Sequence, residues 1–227
     1  MFMELVNALK KIGFTQQEAI IYIELCRHHE ITGYEAAKLS GISRSNAYAA
    51  LSSLVDKGYA YVIEEASMKY TPVPKVELIK NAKRSFEEQI KVIEEKLDFS
   101  QLRQEPYVTI GDEKHIINKL KNIIQMAELR IYLSCDNNVL EMVKEEIHLA
   151  VTRGLKVVIL SPKDLNGIQH IHYFNAPSTS IKIIADTKEV LAGTLKQSLY
   201  SKNSTLVHLI REAFINEITI LESQEKQ

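Results

Sequence analysis

Along the first hundred residues apolar positions recur mainly at steps of three and four, broken by single glycines and polar turns. That spacing puts them on one face of a helix. Phe2, Leu5, Val6, Leu9 and Ile12 make the first stripe, and Gly13 stops it. Thr15 and Glu18 then form a capping-box pair, in which hydroxyl and carboxylate satisfy each other's backbone donors. They open a helix carrying Ala19, Ile20, Tyr22, Ile23 and Cys26. From Gly33 to Tyr59 the pattern predicts two short helices around a tight turn. Glu35 to Leu39 form helix readily and Gly41 ends the run. Ser43 is expected to cap a second helix over 43–56 with its side-chain oxygen. Ala47, Ala50, Leu51, Leu54 and Val55 fall on one side of that helix, while Arg44, Ser45, Asn46 and Tyr48 in its opening turns can reach outward.

After Gly58 the period drops to two. Tyr59–Ile63 and Lys69–Val73 read as a small β-hairpin joined by Glu64 to Met68. Lys75 to Ser100 then contains neither Gly nor Pro, and Val76, Ile79, Lys83, Phe86, Ile90, Ile93 and Leu97 recur as a heptad seam with one charged position. The seam predicts dimerisation through this helix, against the alternative of a helix lying on its own domain.

Past Pro106 continuous apolar runs alternate with helical patterns: strands at 107–110, 129–135 and 155–161, and helices at 112–127 and 137–153. A polar segment of about twenty residues, Ser161 to Ser180, reads as a loop. Strands at 180–186, 189–195 and 198–201 and a closing helix over 204–221 follow. The expected organisation is therefore an N-terminal helix-turn-helix with a wing (1–73), a coiled-coil linker helix (74–104) and a C-terminal α/β domain with a mixed sheet (105–227). In fold class this is a multidomain chain, α+β followed by α/β.

Composition adds little drive of its own. The chain has 227 residues, 45% of them hydrophobic, and a net charge of −1, so no global basic excess advertises nucleic acid. Cys26 and Cys135 form neither a disulfide framework nor a CxxC pair and read as packed thiols of a reducing cytoplasm. No long uncharged apolar run or signal-peptide order occurs, so a cytoplasmic protein with no membrane contact is expected.

A helix-turn-helix places the start of its second helix in the DNA major groove. On that reading Arg44 and Asn46 would read base edges, guanidinium suiting guanine and amide suiting adenine. Ser43, Ser45, Tyr48 and Lys69 would contact phosphates. Glu64 and Glu65 would repel phosphate and leave only a modest wing contact. The competing readings are an ordinary helical hairpin with a solvated turn, and a protein-interaction adaptor. In the C-terminal domain the long segment after a buried strand suggests an effector pocket bordered by Ser134, Asp136, Ser161, His170 and His172. His170 and His172 lack a third ligand at metal-binding spacing, so neither a metal nor a cofactor is expected. No GxGxxG or GxxxxGK loop occurs.

The run GFTQQEAIIYIEL, the stretch GYEAAKLSGISRSNAYAALSSLVDKGY and the charged helix after it resemble the TrmB family of transcriptional regulators. The resemblance covers nearly the whole chain and is more specific in its first hundred residues. It implies a homodimer that binds double-stranded DNA, with a phospholipase-D-like second domain that takes small effectors, often sugars. Phospholipase-D-like enzymes use an HxK pair with a following Asp. Here Ser180 stands where the nucleophilic His would be, ahead of Lys182 and Asp186, with one residue fewer between them. Without an activated nucleophile the covalent step is lost, and no enzyme activity is expected.

Overall fold

The computed structural model describes residues 2–64, 67–98 and 107–224. They form two compact units, Met1–Ser100 and Gln101–Gln227.

The first unit begins with α1 (Phe2–Lys11) and α2 (Gln16–His28). The Thr15–Glu18 capping box is complete: the Glu18 amide donates to Thr15 Oγ1 at 3.2 Å, and the Thr15 amide to Glu18 Oε2 at 2.7 Å. A second capping box, unforeseen in the sequence, follows a two-residue strand, β1 (Ile31–Thr32), where Thr32 and Glu35 open α3 (Gly33–Ser40). After a turn comes α4 (Arg44–Asp56), then β2 (Ala60–Glu64) and β3 (Met68–Pro72). The three strands pair antiparallel in the order β1-β3-β2, so the expected hairpin is part of a three-stranded sheet. Its core combines Val6, Leu9, Ile21, Leu25, Ala47, Leu51 and Leu54, with Phe14 stacked on Tyr59 at 4.5 Å.

The long helix α5 (Lys75–Lys96) belongs to this first unit. Leu78 packs into the core, and the Tyr22 hydroxyl donates to Val73 O at 2.9 Å just before the helix. The helix ends earlier than the sequence suggested. Leu97 already has extended backbone, and residues 99–100 lie outside the described set.

The second unit is a seven-stranded sheet in the order β4-β10-β9-β8-β5-β6-β7. The strands are β4 (Val108–Ile110), β5 (Arg130–Ser134), β6 (Lys156–Ser161), β7 (Ile171–Phe174), β8 (Ile181–Ala185), β9 (Glu189–Gly193) and β10 (Ser198–Ser201). β5, β6 and β7 run parallel and the other pairings are antiparallel, which is the expected mixed sheet. One face packs under α6 (Glu113–Met126), α7 (Asn137–Met142) and α8 (Lys144–Thr152) through Ile131, Leu133, Ile159, Ile183 and their neighbours. The other packs under α9 (Ser204–Gln224) through Val158, Leu160, Ile184 and Phe214.

Two expectations need correction. The helix read over 137–153 is broken at Val143, whose φ of −114° leaves the helical region and separates α7 from α8. The Ser161–Ser180 segment is not a plain loop, because Ile171–Phe174 pairs in parallel with β6 and forms a sheet edge.

Candidate nucleic-acid interface

The turn between α3 and α4 is made by Gly41 at φ +69°, a conformation glycine adopts without strain. Ser43 follows at the N-cap position of α4, but its hydroxyl makes no capping bond. With φ −57° and ψ 148° it faces Ser45 Oγ at 3.4 Å instead, which corrects the sequence-based expectation. Ala47, Ala50, Leu51 and Leu54 bury the inner face of α4, and Arg44, Ser45, Asn46 and Tyr48 lie exposed on the outer one.

Two contacts that the sequence did not announce hold this outer face in place. The Arg44 guanidinium lies 4.5 Å from the ring centroid of Tyr34, an exposed residue of α3. The Tyr48 ring lies close against Gly33; a Cβ there would come within 2.3 Å of its Cε1. The far end of α4 is also tied down. Lys57 Nζ donates to Glu18 Oε2 at 2.7 Å and to Gly13 O at 3.0 Å, and Ser53 Oγ donates to Glu18 Oε1 at 2.6 Å. Burial pushes the Glu18 carboxyl up, but these hydrogen bonds and the Lys57 charge outweigh it and hold it below its ordinary value. A tyrosine immediately ahead of a good helix-forming run was the one available hint of the Tyr34 platform.

Lys69 sits half-buried in the central strand β3, opposite Thr32 and Ile63. Its charge acts on Glu35, whose carboxyl is held low chiefly by the Thr32 amide and hydroxyl. Glu64 is exposed at the end of β2, and Glu65 lies outside the described residues. The α5 seam is open to solvent: Val76, Ile79, Phe86, Ile90, Ile93 and Leu97 are all exposed, and Leu97 lies beyond the helix.

In the second unit the five expected effector residues are largely occupied by the fold. Ser134 and Ser161 are buried. Asp136 caps α7 by accepting from the Val139 amide at 2.8 Å. Ser161 Oγ donates to Lys163 O, and His172 Nε2 lies 3.1 Å from Ser161 O and 3.2 Å from its Oγ. His170 Nδ1 lies 2.7 Å from Ile168 O, while its Nε2 is 3.0 Å from Asp164 Oδ1 without hydrogen-bond geometry. Beside this cluster lies a polar pocket of about 190 Å³ between α7 and the segment after β6, lined by Asn137, Glu141, Lys144, Lys163, Asp164 and Asn166 among others. None of the five expected residues lines it. Among the described residues no group of three or more His, Cys, Asp or Glu is placed to hold a metal ion.

The Lys182 and Asp186 of the HxK-like segment stand at opposite ends of β8 and do different work. Lys182 lies under α9 and pairs with Glu217, which also accepts from Asn175 Nδ2 at 2.8 Å. Asp186, at φ +53°, accepts from the Glu128, Leu129 and Arg130 amides at 2.8–2.9 Å and ties the β8–β9 turn to the start of β5. The two side chains therefore share no site.

The model of "Sugar-specific transcriptional regulator TrmB" matches residues 9–75. That of the N-terminal subdomain of the TrmB effector-binding domain matches residues 107–221. The chain is 28% identical to the uncharacterised protein YrhO of Bacillus subtilis (strain 168), over 98% of this chain and 87% of that one. It is also 28% identical to the HTH-type sugar sensing transcriptional regulator TrmBL1 of Pyrococcus furiosus, over 62% of this chain but 43% of that one. Among solved structures, that of TrmBL2, described as an archaeal chromatin protein, matches 96% of this chain and 98% of its own at 20% identity and a TM-score of 0.45. Nuc of Salmonella typhimurium, a phospholipase D family member, matches 52% of this chain and 95% of its own at 14% identity and a TM-score of 0.34. Among the described residues no helix is long and apolar enough to cross a membrane.

Proposed function

The chain belongs to the TrmB family of transcriptional regulators, and on that premise we propose that it is a homodimeric, sequence-specific DNA-binding regulator whose second unit takes a small-molecule effector. The observation that carries this reading is the outer face of α4. Its first turns present Arg44, Ser45, Asn46 and Tyr48 to solvent, on a helix fixed at one end by Tyr34 and Gly33 and at the other by Glu18. Such a face can enter a major groove without first paying to order itself.

Arg44 and Asn46 are then the base readers. Ser43, Ser45 and Tyr48 contact phosphates, with the first-turn N–H groups that Ser43 leaves uncapped available to a phosphate oxygen. Lys69 adds a weak wing contact, tempered by Glu35. The exposed α5 seam pairs two copies. A sugar or similar polar molecule is the effector class, in keeping with the family. The pocket beside α7 suits its size and polarity better than the five residues picked from sequence.

Net charge of −1 favours one other reading, an adaptor whose winged helix binds protein instead of DNA. Selection of duplexes from a random-sequence pool by the purified full-length protein separates the two. A recurrent two-fold site supports the regulator. Failure to enrich any sequence, together with no measurable duplex binding at low salt, rejects it. For the effector arm, a panel of sugars is titrated into the protein–duplex complex, and an unchanged DNA affinity with every one rejects that part.

A further inference from the structure

Phe2 and Leu5 of α1, with Ile12 in the turn just after it, are between 38 and 48% exposed, although the opposite face of the helix is well packed. With the start of α5 they line a groove of about 690 Å³ that has Leu78 and Ile79 on its wall. Ile79 also belongs to the α5 seam, so the groove and the seam are one continuous apolar surface.

We propose that a second copy of this chain covers this groove, so that α1 and α5 together form a single two-fold interface. The proposal rests on the homodimer reading above and extends it from the linker helix to the DNA-binding head. Area supports it. The six apolar residues of the seam expose only roughly 600 Å² per protomer, the low end for a stable pair. Adding Phe2, Leu5 and Ile12 raises this to roughly 800 Å², the share one partner contributes to a standard-size interface. Of the two cations that line the groove, Lys75 and Arg27, Arg27 is already engaged by Glu24 at 2.6 Å and stacked over Phe2 at 5.4 Å. Because α1 packs on α2, and α2 holds α4 through Glu18 and Lys57, such an interface fixes the reading helix directly instead of through a flexible tether.

Cys26 lines the groove and reports on its cover, since Cys135 is buried and silent. The test measures the rate at which Cys26 reacts with a disulfide reagent in the full-length protein across protein concentration, alongside sedimentation velocity on the same samples. The proposal predicts that the rate falls at least tenfold as monomer becomes dimer. It also predicts that Leu5→Glu, with an unchanged circular dichroism spectrum, weakens the dimer at least tenfold, as Phe86→Glu does. A dimer that needs Phe86, ignores Leu5→Glu and reacts at the monomer rate overturns the proposal and leaves the α5 dimer standing. A wild-type protein that stays monomeric at every concentration overturns both. A Cys26 slow even in the monomer, with a small apolar molecule found in native mass spectra, assigns the groove to that molecule and overturns the proposal as well.

Discussion

The guanidinium of Arg44 lies 4.5 Å above the ring of Tyr34, which places an aromatic residue of α3 under the charge at the start of α4. An exposed contact of this type is worth about 0.5–1 kcal/mol. Tyr34→Ala is therefore expected to weaken binding to a selected duplex by about two- to five-fold, and Tyr34→Phe to leave it near wild type. Fluorescence anisotropy titrations check both. A Tyr34→Phe variant as weak as Tyr34→Ala would shift the role from the ring to the hydroxyl.

Glu18 joins α2 to the end of α4, with its side chain 4% exposed against 35% for Lys57. Its depressed pKa means that its contribution is complete above the unfolded-state value near 4.5 and is lost as pH falls through the lower folded value. Glu18→Gln should cost about 1–3 kcal/mol at pH 7, the usual consequence of leaving a buried partner poorly satisfied. In chemical denaturation the gap between variant and wild type should narrow as the pH falls below 4. A gap that does not change with pH would show that packing, not the charge, carries the effect.

Burial pushes the Cys135 thiol up to about 12. A native sample dilute enough to be monomeric should show one reactive thiol at pH 8, from Cys26, and a denatured sample two. Ellman titration reads the count directly.

Lys182 and Glu217 form a half-buried pair under α9, at 22 and 24% side-chain exposure. Removing one partner strands the other, so Lys182→Met or Glu217→Leu alone should cost about 1–3 kcal/mol. The double substitution should recover part of that loss. Thermal unfolding of the four proteins of the cycle measures it, and additive losses would mean that the two residues act independently.

These pairs also mark what could be read ahead of the structure. Thr15 and Glu18 lie one helical turn apart, so their capping box was legible as a local pattern. The further bond from Glu18 to Lys57, 39 residues away, is set by how α2 crosses α4 and has no local signature. The exposed row from Arg44 to Tyr48 followed from the apolar stripe beneath it, while Tyr34 reaches Arg44 only because the Gly41 turn folds α3 back. Strand β7 escaped notice because Ile171–Phe174 is short, sits at an edge and is flanked by polar residues. The break at Val143 carried no Gly or Pro to betray it. His170 and His172 are chemistry-bearing residue types, yet one ring nitrogen of each serves the fold, His170 Nδ1 at Ile168 and His172 Nε2 at Ser161.

The claim that α4 reads DNA is tested most directly by footprinting a selected duplex with the wild-type protein and with Arg44→Ala. The wild-type protein should protect two half-sites, about one helical turn or a small multiple of it apart. The variant should lose at least about tenfold in affinity for that duplex, from one lost bidentate base contact on each head, with non-specific binding much less affected. Equal footprints and equal affinities for the two proteins would contradict it.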